Sequence, residues 1–175
     1  MSGMIIYKSK YGATKKYAEW LSEETGFPCV STKDADINKA ADCDVVILGG
    51  GIYAGGIACV SYLKKNIGKL KGKKIILYTC GASPYDEEFF QALTAQNMKG
   101  ELSDIPVFYC RGSFGMNDIS FTDRTLCKLL QKAISKKDPK DYDVLEKTII
   151  SVKDGESCDW TDKSYLAPVL EAVRN

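Results

Sequence analysis

Short apolar segments alternate with longer amphipathic segments along most of this chain. The apolar segments are Met4–Tyr7, Pro28–Ser31, Val45–Leu48, Ile75–Tyr78 and Val107–Cys110. All except Pro28–Ser31 are apolar without interruption, which is typical of strands that are covered on both faces. The alternation of strands with helices predicts right-handed βαβ units, an open parallel sheet and therefore an α/β fold.

Helices are predicted from apolar side chains spaced three and four residues apart and from signals at the helix ends. They cover Thr14–Thr25, Ile57–Ile67, Asp86–Asn97, Asp143–Ile150 and Ser164–Val173, whereas Asn38–Ala41 is too short to assign. After the fifth strand, Leu126, Leu129, Leu130, Ala133 and Ile134 form the apolar stripe of a further helix. Its other face carries Arg124, Lys128, Gln131, Lys132 and Lys136. We expect a single domain, 1–175, with an extra segment at about 111–137.

Composition excludes several classes of function. The 175 residues carry a net charge of +1, which favours no nucleic-acid partner. There is no histidine, so Ser-His-Asp and Cys-His catalysis are excluded, and we expect no metal site. The seven cysteines are scattered without a C-x-x-C pair, as suits a reducing cytoplasm. No apolar run approaches a membrane span and the first has only a strand's length, so we expect a cytoplasmic protein without signal peptide and with at most peripheral membrane contact.

The first strand is followed by Ser9, Lys10, Tyr11, Gly12, Ala13 and Thr14, which lead into a predicted helix. The free N–H groups and the dipole of a helix N-terminus favour an anion at such a turn. Gly12 allows close approach of the backbone, and Ser9 and Thr14 offer hydroxyl groups. This turn predicts a site for one phosphate monoester, although an ordinary strand-to-helix turn explains the six residues equally well.

Two more segments with ligand-binding character follow predicted strands. The first is Gly49–Gly56, with the candidate residues Gly51, Ile52, Tyr53, Ala54 and Gly55; the second is Thr79–Tyr85, with Cys80, Gly81 and Ala82. Glycine-rich backbone at several strand ends lets a flat ligand approach main-chain groups, and Tyr53 and Tyr85 are available to stack on it. Each segment alone is explained by a flexible loop, but their order favours one shared site.

A dinucleotide site is not favoured by these segments. Gly49–Ala54 fits the pattern G-x-G-x-x-A, but it follows the third strand instead of the first. The region where an acidic ribose-binding residue belongs, Lys69–Gly72, is basic. The nucleotide P-loop ending in Gly-Lys-Ser or Gly-Lys-Thr is absent from the sequence.

These residues resemble flavodoxin-like proteins, whose FMN phosphate loop follows T/S-x-T/S-G-x-T. Ser9–Thr14 matches this loop except at Tyr11. The resemblance implies a three-layer sandwich with a five-stranded parallel sheet of order 2-1-3-4-5, helices on both faces, and FMN between strands one and three. It places the FMN phosphate on Ser9–Thr14 and the ring beside Gly51–Gly55 and Cys80–Ala82. No side chain is then needed as a catalytic acid or base, and Cys80 is interpreted as a small loop residue.

A narrower resemblance concerns Cys110–Phe114 and Asn117–Arg124, which look like the menaquinone-dependent protoporphyrinogen oxidase family. Gly115-Met116-Asn117 stands where that family has an Asp-Tyr pair. The resemblance implies an FMN-dependent oxidoreductase that oxidises protoporphyrinogen with a quinone acceptor, and we expect Phe114 and Met116 to contact the substrate. Two alternatives remain: a flavodoxin-type electron carrier with a redox partner protein, and a flavin-free binding or regulatory module.

Overall fold

The predicted α/β fold is confirmed by the computed structural model, which describes residues 1–152 and 156–175. The strands are β1 (Gly3–Lys8), β2 (Cys29–Ser31), β3 (Val45–Tyr53), β4 (Gly56–Ile57), β5 (Lys74–Gly81), β6 (Val107–Arg111), β7 (Ser113–Gly115) and β8 (Ser157–Asp159). The parallel strands lie in the order β2-β1-β3-β5-β6, which is the 2-1-3-4-5 order that the resemblance implied. β4 pairs antiparallel with β3, and β7 pairs antiparallel with β8.

The helices are α1 (Ala13–Thr25), α2 (Ile37–Ala41), α3 (Val60–Asn66), α4 (Glu87–Asn97), α5 (Phe121–Ile134), α6 (Val144–Ser151) and α7 (Ala167–Arg174). The prediction of a helix from Ile57 is wrong, because Ile57 pairs with Ile52 in the β3–β4 hairpin. The short segment left unassigned is α2, whose start is capped because the Asp36 carboxylate accepts the Asn38 N–H at 3.0 Å.

Two apolar clusters cover the two faces of the sheet. Ile6, Val46 and Leu48 pack on one face against α3 and α4. Ile5 and Ile47 pack on the other face, against α1 and α7. Because successive side chains of a strand point to opposite faces, uninterrupted apolar strands are needed to bury both. The three-layer arrangement follows from this pattern.

The segment after β6 differs from its prediction. Of the five residues predicted to form the apolar stripe of α5, only Ile134 is buried. Gln131, predicted on the polar face, instead lies against α6 and donates to the carbonyl oxygens of Ile149 and Val152 at 2.8 and 3.0 Å. The last carbonyl groups of a helix lack partners within it, so a polar side chain suits this contact better than a leucine does.

Met116 is fully buried in a small cluster with Ile119 and Val152. The expectation that Met116 contacts a ligand is therefore wrong. The β7–β8 pair beside this cluster was not predicted, because each strand has three residues and their partners are distant in sequence. Within 1–152 and 156–175, no helix is long and apolar enough to cross a membrane.

Candidate functional site

The carboxyl ends of β1, β3, β5 and β6 surround a cavity of about 480 Å³. It lies where strand order reverses between β1 and β3, the position at which open α/β sheets bind ligands. Twelve predicted site residues line it: Lys10, Tyr11, Ala13, Thr14, Gly51, Ile52, Tyr53, Ala54, Gly55, Cys80, Gly81 and Ala82. Ser9 and Gly12 lie behind this lining. The three predicted segments therefore lie around one cavity, as the sequence indicated. The volume of this cavity is in the range of small-molecule sites.

The Ser9–Thr14 turn leaves the first turn of α1 open. Gly12 adopts φ 100°, a left-handed conformation that side-chain-bearing residues rarely adopt. The Ser9 hydroxyl oxygen accepts the Gly12 N–H at 3.1 Å, which fixes the turn. Gly12 provides no side chain to cap the helix. The first turn of α1 therefore has no side-chain cap, and its residues Ala13 and Thr14 line the cavity, where the N–H groups of a helix N-terminus suit an anion.

The second predicted loop is mostly strand. Gly49–Tyr53 continues β3, and only Ala54 and Gly55, with φ 48° and 76°, form the turn of the β3–β4 hairpin. A Cβ atom added to Gly49 would lie 2.2 Å from the Tyr78 hydroxyl oxygen, and one added to Gly50 would lie 2.7 Å from the Cys59 sulfur. Close packing, rather than loop flexibility, explains these two glycines.

Tyr53 connects the first segment with the second. Its hydroxyl oxygen accepts the Lys10 N–H at 3.1 Å, and its ring packs edge-on against Tyr11 with centroids 6.0 Å apart. The ring folds back over Gly51, where an added Cβ would lie 2.6 Å from the Tyr53 hydroxyl oxygen. Tyr53 therefore forms an aromatic wall of the cavity, and its stacking on a ligand stays a prediction. Tyr85 does not line the cavity, because it packs against Phe90 and Tyr109 instead.

The third segment also begins within a strand, since β5 runs to Gly81. Burial raises the pKa of the Cys80 thiol to about 12, against the opposing effect of a hydrogen bond with the Thr14 side chain. The thiol therefore stays protonated near neutral pH and is a weak nucleophile. This agrees with the interpretation of Cys80 as a small residue without a redox role, although it lies in strand β5 and not in a loop. The Gly81 carbonyl accepts the Gly112 N–H at 2.7 Å and joins this wall to the chain after β6.

An ionic contact that sequence reasoning missed closes the cavity near the first turn. The Asp123 carboxylate accepts hydrogen bonds from the Lys10 ammonium and the Tyr11 hydroxyl. Both hydrogen bonds lower the pKa of Asp123, and the bond from Lys10 has the larger effect. The same bond between Lys10 and Asp123 raises the pKa of Lys10. Asp123 lies in Asn117–Arg124, one of the two segments that carry the narrower resemblance, which was the available signal. The contact brings α5 to the wall of the site.

The outer wall of the cavity is apolar and comes from α5 and α6. Leu126 and Leu130 line it from α5, and Leu145 and Ile149 line it from α6. Phe114 lines it as well, as expected for the segment after β6. The cavity is thus wider than the strand ends alone would make it. Among the described residues, no group of three His, Cys, Asp or Glu side chains is placed to hold a metal ion.

Three solved structures are among those to which the chain is similar. The Trp repressor binding protein of Bacillus subtilis is 13% identical, with 63% of this chain and 83% of that chain covered and a TM-score of 0.47. A flavodoxin, WrbA-like protein of Agrobacterium tumefaciens is 21% identical, with 70% and 87% covered and a TM-score of 0.43. The two-electron reduced flavodoxin of Megasphaera elsdenii is 20% identical, with 61% and 82% covered and a TM-score of 0.40.

Among curated proteins, none matches the chain. The sequence model of the Flavodoxin domain family matches residues 4–143, which include the parallel strands except Gly3 of β1 and all twelve predicted residues that line the cavity. Since this match spans well over half of the sequence, the chain belongs to the Flavodoxin domain family.

Proposed function

We propose that the protein binds FMN in the cavity at the carboxyl edge of the sheet and functions in oxidation–reduction. One observation carries this proposal: the uncapped N-terminus of α1 opens beside an apolar cavity at the reversal of strand order. A phosphate fits the donors of the helix turn, and a flat ring fits the aromatic and glycine-bearing walls. When bound, FMN supplies the electron-accepting ring, so the protein needs no catalytic acid or base.

Particular residues suit particular parts of the cofactor. We expect the N–H groups of Ala13 and Thr14 to bind the phosphate, with the hydrogen bond between Ser9 and Gly12 fixing the turn. Tyr53 and the β3–β4 turn would form one wall for the ring, and Cys80–Ala82, from the neighbouring strand β5, would form another part of the lining. Asp123 brings a negative charge to the Lys10 side chain beside the phosphate position, so it opposes an anion there.

Titration of the apoprotein with FMN, followed by quenching of flavin fluorescence, tests this proposal. Gly12→Ala should weaken binding about tenfold, because a side-chain-bearing residue resists φ near 100° by about 1–2 kcal/mol and shifts the turn. Gly100→Ala is the matched control, since Gly100 also has positive φ, has free space around it and does not line the cavity. It should lose similar stability but no FMN affinity.

Riboflavin, which lacks the phosphate, should bind the unmodified protein less tightly than FMN does. Its affinity for the Gly12→Ala variant should equal its affinity for the unmodified protein. If the purified protein is colourless and does not quench FMN fluorescence at micromolar concentrations, a flavin-free binding module is favoured instead.

The apolar outer wall favours a second, finer candidate: oxidation of a flat apolar substrate such as protoporphyrinogen, with a quinone acceptor. A carrier that exchanges electrons with other proteins does not need leucines from two helices lining the far side of its cavity. The net charge of +1 also gives a carrier little attraction to basic partners. Both observations favour an enzyme over an electron carrier.

Anaerobic assay of protoporphyrinogen oxidation with menaquinone tests this candidate. Leu130→Asn and Phe114→Ala should each reduce turnover and leave FMN affinity nearly unchanged, because both residues line the outer part of the cavity. No turnover by the unmodified, FMN-loaded protein would favour the carrier.

A further inference from the structure

A strip of exposed apolar side chains runs along α5 and reaches α6. We name it the α5 strip: Phe121, Leu126, Leu129, Leu130 and Leu145, which are 84%, 53%, 61%, 41% and 41% exposed. In the described part of the chain, the other large hydrophobic residues of similar exposure are Met1, Tyr53 and Tyr85, which lie elsewhere. Isolated exposed leucines are common, but several adjoining ones mark a surface that another apolar phase covers.

From Arg124 onward, the same helix and the turn that follows it carry only basic charged residues. Residues 124–137 contain five basic residues and no Asp or Glu, whereas the whole chain has a net charge of only +1. Lys128 and Lys132 are four residues apart and so lie on one side of α5, and Lys136 follows two residues after the helix ends at Ile134; we call these three residues the lysine row. A helix with leucines on one side and lysines on the next is typical of helices that lie in a lipid headgroup layer.

We propose that the α5 strip docks the protein on the surface of an anionic lipid bilayer. The leucines would enter the boundary between headgroups and acyl chains, and the lysine row would lie among the anionic headgroups. A second copy of the chain fits less well, because a symmetric contact through the α5 strip would bring two equal lysine rows together. This proposal does not depend on FMN.

The α5 strip adjoins the outer end of the cavity. Leu126, Leu130 and Leu145 belong both to the α5 strip and to the lining of the cavity. The outer end of the cavity would therefore face the bilayer once the strip is docked. An apolar ligand could then pass between lipid and cavity without crossing water.

Flotation of the full-length protein with lipid vesicles tests the proposal. The unmodified protein should float with vesicles that contain phosphatidylglycerol, should stay behind with pure phosphatidylcholine, and should release as salt is added. Leu129→Gln should reduce the partition coefficient about tenfold by removing an inserted apolar side chain. Lys132→Gln/Lys136→Gln should reduce it about 25-fold, at about fivefold for each lysine near the surface. Neither position lines the cavity.

Two matched variants distinguish docking through α5 from nonspecific attraction of positive charge to anionic vesicles. Lys132→Arg/Lys136→Arg should keep the binding. Lys64→Gln/Lys65→Gln removes the same charge from α3, where both lysines are exposed, and should change the partition coefficient by less than about twofold if α5 makes the contact.

Three results would overturn the proposal. One is failure of the unmodified protein to bind anionic vesicles, and another is an equal loss of binding in the α3 variant. The third is a dimer in sedimentation velocity that Leu129→Gln converts to monomer, without vesicle binding by the unmodified protein, which would assign the strip to a second copy.

Discussion

Gly49→Ala should destabilise the protein strongly, although it adds only one methyl group. The added Cβ would lie 2.2 Å from the ring and hydroxyl of Tyr78, which is completely buried. Tyr78 would have to move, and overpacking of this kind costs about 1–3 kcal/mol. The move would also break the hydrogen bond that the Tyr78 hydroxyl donates to the Thr14 carbonyl at 2.9 Å, which adds about 1–3 kcal/mol for a buried hydroxyl left unpaired. The free energy of unfolding should therefore fall by about 2–6 kcal/mol.

Urea denaturation followed by circular dichroism measures this change. Gly68→Ala is the matched control, because no atom lies within 4 Å of its added Cβ and its φ is not positive. It should alter the free energy of unfolding by less than about 0.5 kcal/mol. Tyr78→Phe removes only the hydroxyl and should cost about 1–2 kcal/mol. Since Thr14 belongs to the proposed phosphate turn, Tyr78→Phe should also weaken FMN binding. A loss below about 1 kcal/mol for Gly49→Ala would refute the packing role of this glycine.

Three further predictions concern the charges and the thiol of the site. Asp123→Asn should raise FMN affinity about fivefold at low salt by removing a negative charge beside the phosphate position, with riboflavin affinity unchanged; an equal gain for riboflavin would contradict this cause. Cys80 should stay unmodified by iodoacetamide at pH 8 in native protein, as mass spectrometry would show, because burial raises its pKa to about 12; rapid labelling would contradict its inert role. Partial burial acts to raise the pKa of Asp159, but hydrogen bonds from Lys16 and Thr161 outweigh this effect and lower the pKa to about 2. The stabilisation by the Asp159 carboxylate should be complete above its unfolded pKa of about 3.9 and should be lost as the pH falls towards 2. Asp159→Asn should therefore lower the free energy of unfolding by about 0.5–1 kcal/mol at pH 6 and leave it unchanged near pH 2. Urea denaturation at each pH measures this difference.

Much of the fold could be predicted from local sequence, because short uninterrupted apolar runs are typical of parallel strands that are covered on both faces. Ile5 and Ile6 show this directly, since adjacent residues of one strand pack on opposite faces. The position of the cavity followed as well, because carboxyl ends of parallel strands meet at one edge. Twelve of the predicted residues therefore lie together although they come from three distant segments.

The tertiary structure alone decided what the glycines and the last third of the chain do. Gly49 and Gly50 suggested a loop because a sequence cannot show which side chain lies opposite; Tyr78 and Cys59 occupy that space. The stripe of leucines on α5 predicted a buried face, but a helix buries that face only if a neighbour covers it, and α6 covers Gln131 instead. Periodicity determines which residues share a face of a helix, whereas long-range packing determines whether that face meets protein, ligand or another phase.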